Sequence, residues 1–298
     1  MKYQKYFRRI TSFFVQPQKI ITSIICISLF NTASADTLGP GFNVNIQHIG
    51  ASQLEKLPNL SFEMTELRLN TPLMSLDTNS GKLFFGVNYI NTELNISEKL
   101  FEKTLHNLEI PITLVQDRYQ WNVVYQIAPA INSDLEEISK DDFSINGKII
   151  ANYKTGLGNS WTVGLSANRL FGEPRIYPVL GYHMKSLSHW DLRFSVPNPE
   201  LSYLPLDSMR LSLYGAPHGG EWNIYLKDDT ERNEWNTSYS GYQFGFRTLL
   251  RSQSKHWASF TLGRELNRSG SFLDQDGMEY EVDFDNENFI AVSFGREF

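Results

Sequence analysis

The sequence predicts an all-β chain, a transmembrane antiparallel up-and-down β-barrel of 12 to 14 strands occupying residues 36–298. Three observations lead there. Short segments of apolar–polar alternation recur from Phe42 to the last residue, and a period of two is the mark of a strand with two unlike faces. Beyond residue 35 no apolar run approaches the roughly 20 residues of a spanning helix, although aromatic residues make up 13% of the chain. An export signal precedes the alternating region. A soluble sandwich shares the first two features. In lipid, only helices and closed barrels satisfy their own backbone, and helical patterning is missing.

Residues 1–35 predict a cleaved signal peptide. Lys2, Lys5, Arg8, Arg9 and Lys19 form a basic stretch without an acidic residue, the apolar run Ile20 to Phe30 follows, and Ala33-Ser34-Ala35 supplies a small-x-small cleavage site. Ile25 before Cys26 argues against lipidation. The whole chain has 27 basic and 33 acidic residues. Cleavage after Ala35 removes five of the basic ones, leaving 22 against 33, a net charge of −11. That balance excludes nucleic acid as a partner. The single cysteine, Cys26, leaves with the signal, so no disulfide or thiolate chemistry remains.

The strands follow in order. Phe42, Val44 and Ile46 alternate with asparagine and glutamine. Phe62 and Met64 give way to Leu67 and Leu69 in the opposite parity, which predicts a bulge near Thr65-Glu66. Leu83 to Tyr89, Leu108 to Leu114 and Trp121 to Ile127 come next, and Phe143 to Tyr153 alternates for about the length of a tilted spanning strand. Trp161 to Arg169, Ile176 to Met184, Trp190 to Val196, Met209 to Gly215, Trp222 to Leu226, Tyr242 to Thr248 and Ala258 to Leu262 precede the last strand. Leu201 to Leu206 sits among Pro197, Pro199 and Pro205 and is expected to be loop or edge, because proline removes ladder donors.

Short periplasmic turns are expected at residues 116–118, 156–160, 187–189, 216–220 and 251–256, and long outer connections at 91–104, 131–142, 198–207, 227–237 and 268–288. Thr71 to Gly81 would be a long periplasmic exception. Trp121, Trp161, Trp190, Trp222 and Trp257 each follow one of the five short turns, which predicts an interfacial girdle. With the apolar series facing lipid, Lys148, Lys154, Arg193, Arg210, Lys227 and Arg247 point into the lumen, near Glu109 and Asp191. They either favour anionic solutes in an open pore or pair with acidic neighbours and fill it.

No constellation in the sequence carries catalysis. The six histidines lack metal-ligand spacing, and His183 and Ser186 have the wrong parity to meet from one strand. Asp274-Gln275-Asp276-Gly277 places its glycine too early for an EF-hand. No enzyme activity, cofactor or metal is expected.

The closing segment Phe289 to Phe298 puts Ile290, Val292, Phe294 and Phe298 on one face. It resembles the closing strand of bacterial outer-membrane barrels, which in that class is also read by the barrel-assembly machinery. Tyr177-Pro178-Val179-Leu180-Gly181-Tyr182, Trp190 to Pro197 leading to Leu201-Ser202-Tyr203, and Gly263-Arg264-Glu265-Leu266 together resemble one family, an outer-membrane β-barrel domain of unknown function. The resemblance implies a location in the outer membrane of a Gram-negative bacterium, among outer-membrane lipids and lipopolysaccharide, and supplies no active site. The expected function is a porin-like narrow passive channel for small polar solutes. The alternative is a closed structural or interaction barrel whose acidic outer loops contact lipopolysaccharide or a partner, and an outer-membrane hydrolase is a third reading.

Overall fold

The protein is described by a computed structural model covering residues 41–54, 57–96, 101–156, 158–185, 189–227, 232–274 and 277–297. The proposed signal peptide, Ser186 and Phe298 lie outside these residues. The described residues form sixteen strands: β1 (Gly41–Leu54), β2 (Leu57–Thr78), β3 (Gly81–Ile96), β4 (Phe101–Glu109), β5 (Ile112–Arg118), β6 (Trp121–Ser133), β7 (Phe143–Gly156), β8 (Asn159–Asn168), β9 (Arg175–Lys185), β10 (Trp190–Val196), β11 (Glu200–Leu206), β12 (Met209–Lys227), β13 (Arg232–Arg251), β14 (His256–Leu273), β15 (Glu279–Phe284) and β16 (Glu287–Glu297).

Sequential neighbours pair antiparallel, and β1 closes the ring on β16 from Gly41↔Glu297 to Ile49↔Phe289. β4 and β5 share one stave: both lie between β3 and β6, and Ile110 N–H still reaches Pro129 O across the break (2.9 Å). β15 and β16 likewise occupy one stave, so the wall has fourteen. The end that carries the start of β1 and the finish of β16 is called lower here. Its turns are short: two residues join β2 to β3, β5 to β6 and β11 to β12.

Four expectations are corrected. Leu201 to Leu206 is a full stave, β11, because Pro205 falls after the paired stretch Glu200 to Tyr203 and so removes no ladder donor there. Residues 216–220 are not a turn; β12 pairs with β13 without interruption from Met209↔Leu250 to Lys227↔Arg232. Residues 71–81 are mostly strand, with β2 running to Thr78 before a tight turn. Most of the expected outer loops are also strand. Ser238–Ser271 and Ser240–Ser269 hydroxyl pairs (3.0 and 2.9 Å) extend the β13–β14 ladder where no apolar alternation announces it.

The parity change in β2 has a different origin from a bulge. Register with β1 is continuous from Asn70 to Met64, and register with β3 is continuous from Phe62 to Pro72. What inverts is the surroundings. In the lower part, apolar residues such as Ile46, Phe246, Leu262 and Phe294 face outward and are about half exposed. In the upper part, Ile49, Met64, Leu94 and Phe289 face inward and are buried. One strand thus carries an exposed apolar face below and core chemistry above.

The wall is also uneven. β10 and β11 have seven residues each, whereas β12 and β13 have 19 and 20. Above the short wall, β12 crosses to β6: Asn223 pairs with Ser133 in parallel, and Asp134 N–H donates to Asn223 O (3.2 Å). Glycines permit the crossing. A Cβ at Gly220 would sit 2.6 Å from the Trp222 ring, and one at Gly219 would meet the Tyr239 carbonyl. The upper β12–β13 hairpin therefore lies over the barrel mouth as a lid.

Candidate functional site: the barrel lumen

The lumen is layered. Near the lower end, Asp191 of β10 gathers three neighbours: His183 Nε2 at 2.7 Å, Arg210 Nη2 at 2.9 Å and Arg193 Nε at 3.8 Å. Parity dictates this meeting, since His183 (β9) stands opposite Arg193, two positions along from Asp191 on the same inward face. Around it lie neutral contacts, among them Ser202–Ser212 (2.8 Å) and Thr162 Oγ1 donating to Asn152 Oδ1 (2.7 Å). Glu109 accepts from Asn88 and Asn146 (3.2 and 2.5 Å).

Higher up, charged side chains span the lumen. His218, at the start of the lid, places Nδ1 2.7 Å from Glu265 Oε1 of β14 and Nε2 2.9 Å from Glu66 Oε2 of β2. Arg68 Nη2 also donates to Glu66 Oε2 (2.8 Å). Both carboxylates and the imidazole are buried. Charges so far from water persist only when paired and hydrogen-bonded.

Above this layer the lumen is filled by a core. Leu105 and Ile224 have no exposed surface, and Ile49, Met64, Trp222 and Phe289 pack with them. Burial of each such side chain contributes about 1.5–3 kcal/mol. Arg268, 2% exposed, donates to the Tyr239 hydroxyl (2.8 Å), Ser52 Oγ (2.6 Å) and Asp285 O (2.8 Å). Its guanidinium stands 5.5–5.9 Å from the rings of Phe62, Tyr239 and Phe284, a cation–π setting that offsets its burial.

The lid is tied at its rim. Lys103 Nζ donates to Asp134, Glu136 and Tyr225 O (2.7, 2.7 and 2.8 Å), and Asn223 Nδ2 reaches Asp142 and Glu234 (3.0 and 2.5 Å). On its outer side Arg169 pairs with Glu221 (2.8 Å) and the Tyr242 hydroxyl donates to Pro197 O (2.6 Å).

Of the expected lumen cations, Arg193 and Arg210 face inward onto Asp191, and Arg247 lies 4.4 Å over the Tyr214 ring. Lys148 is half-buried on the inward parity of β7, and Lys154 pairs with Asp117 at 3.4 Å near the lower rim. The Lys227 side chain lies outside the described residues. Trp121, Trp161 and Trp190 are exposed on the outer face near the lower turns and pack against Tyr153, Tyr182 and Tyr203 at ring separations of 4.9, 4.6 and 5.0 Å. Trp222 and Trp257 do not join them. Both point inward at 6% exposure, Trp222 in the upper core and Trp257 at the lower end. Their parity on β12 and β14 is the inward one, and the turn expected before Trp222 does not exist. Ile290, Val292 and Phe294 form the outward face of β16.

Glu66, Arg68, His218, Glu265 and Arg268 are not among the lumen residues expected from the sequence. His218 is 152 residues from Glu66 and 47 from Glu265, so only barrel closure brings them together. Among the described residues no group of three His, Cys, Asp or Glu side chains could hold a metal ion.

A family described as "Domain of unknown function (DUF6268)" matches residues 61–294, more than three quarters of the chain. No curated protein matches. Similar solved structures include the COG4313 outer membrane channel from Pseudomonas putida F1 (9% identity, 90% of this chain and 100% of that one, TM-score 0.46). The β-domain of the Bordetella autotransporter BrkA (8% identity, 87% and 100%, TM-score 0.31) is another. BauA, the ferric preacinetobactin receptor from Acinetobacter baumannii, is a third (10% identity, 86% and 59%, TM-score 0.25).

Proposed function

The chain belongs to this family of unknown function, and on that premise we propose that it is an integral barrel of the bacterial outer membrane whose lumen is closed to passive flux at its outer half. The lower end is the periplasmic one. One observation carries the closed reading: β1, β2, β3, β4, β12, β13, β15 and β16 all supply buried apolar side chains to one core inside the ring. Ser133 of β6 and Arg268 of β14, at 0% and 2% exposure, complete the circle of the upper ring that β12 closes by pairing with β6. A water-filled path through that upper ring would expose at least one of its walls. The half-exposed apolar band below supports the membrane setting, since a closed barrel is one of the two structures that satisfy their backbone in lipid.

This favours the structural or interaction barrel over the open channel. The lower lumen supports the same reading, because Arg193 and Arg210 are engaged with Asp191. Acidic outer positions such as Glu93, Glu102 and Glu136 offer contacts for lipopolysaccharide through divalent cations. Reconstitution of the full chain in planar bilayers at neutral pH tests the proposal. The expected record is silent at every voltage the membrane tolerates. Stepwise current from the unmodified protein overturns it.

A further inference from the structure

His218 sits where the lid leaves the wall, and its two ring nitrogens meet carboxylates from β14 and β2, the staves that flank the β1–β16 seam. A neutral imidazole has one donor and one acceptor nitrogen, so only the doubly protonated ring satisfies both contacts. The surroundings leave the carboxylates few substitutes. Glu66 keeps Arg68 on its own strand, but Glu265 Oε2 has no hydrogen-bond partner among the described residues. Tyr239 of β13 stands edge-on to the imidazole at 5.8 Å; its hydroxyl oxygen accepts from Arg268 of β14, and its own proton remains to donate to Glu265 beside it. Tyr214, on β12 itself, lies under Arg247 of β13.

We propose that His218 is a proton-dependent latch: with its proton it pins the β12–β13 lid to β2 and β14, and loss of that proton releases the lid and opens the lumen. The inference rests on the closed-lumen reading. Without the proton, a ring lone pair faces a carboxylate lone pair in a buried site, and a buried charge left unpaired destabilises the arrangement that holds it. Opening relieves this by letting water reach Glu66 and Glu265.

The test is bilayer conductance of the full chain as pH rises from neutral into the alkaline range, with heat-modifiable gel mobility confirming a folded barrel. The wild type should be silent at neutral pH. Its open probability should then climb by up to about tenfold per pH unit, the limit for one coupled proton. In E66Q/E265Q, a neutral imidazole can donate to one amide oxygen and accept from the other amide nitrogen, so the pH dependence should vanish. If that variant does not fold, H218Q, which cannot titrate, should abolish it instead. S133C/N223C places cysteines at paired positions of the lid and β6. The disulfide should abolish alkaline opening, and reduction should restore it. Silence of the wild type throughout, an unchanged pH profile in the glutamine variants, or opening through the cross-link overturns the latch. Current already present at neutral pH is instead a failure of the closed-lumen reading.

Discussion

Replacing Phe246 by arginine is expected to cost about 2–4 kcal/mol of folding stability in lipid vesicles. Phe246 lies on β13 between Leu213 of β12 and Leu262 of β14, and all three are about half exposed. With Leu201 and Ile290 they make an apolar row across five adjacent staves. On a water-soluble barrel the same exchange would be nearly neutral, because half-exposed surface substitutions usually fall within about 0.5 kcal/mol. Glu93→Arg, on the outward face of β3 above the band, is the matched control and should change stability little. Urea titration of the vesicle-bound protein measures both. Equal, small effects at Phe246 and Glu93 would remove the membrane-facing assignment of the band.

Truncating the upper core should convert a silent barrel into a conducting one. Trp222 and Ile224 project from the lid into the core and are 6% and 0% exposed. Large-to-small changes at such sites cost about 2–5 kcal/mol each, and the loss falls on the lid because the lower ladders do not depend on either side chain. The double variant W222A/I224A should fold and show stepwise current at neutral pH. Trp257→Ala, equally buried but at the lower end, should stay silent. A silent double variant with intact heat-modifiable mobility would show that the core is not the barrier.

Alternation exposed most of the wall to sequence reasoning, since Phe143 to Tyr153 or Ile290 to Phe294 has one solvent on each face along its whole length. It failed where the solvent changes along a strand. Met64 and Leu67 have opposite parity because one faces a protein core and the other the outward apolar band, and a pattern of two cannot separate that from a bulge. Ala216-Pro217-His218-Gly219-Gly220 reads as a turn for a related reason. Glycine and proline mark a departure from a flat ladder, but a strand crossing the barrel mouth departs from it as much as a turn does. Turn spacing locates the three outward tryptophans but fails at Trp222, where there is no turn, and at Trp257, which follows a real turn on the inward parity of β14. The charged layer was out of reach, because Glu66, His218 and Glu265 share no element and no local spacing.

In the membrane setting proposed above, the inversion of polarity along β1, β2, β3 and β16 predicts an order of assembly. The outward face of the upper segments is polar, with His48, Glu63 and Glu93 among its residues, and it is at home only once it has crossed the bilayer. Leu105, Ile224 and Phe289 come from three distant parts of the chain and cannot meet before their staves have crossed. A hollow form is therefore expected on the way to the closed one. During refolding into brominated lipid, Trp121 should be quenched before Trp222 acquires its buried emission. The reverse order would mean that the upper ring forms in water first and is carried across as a unit.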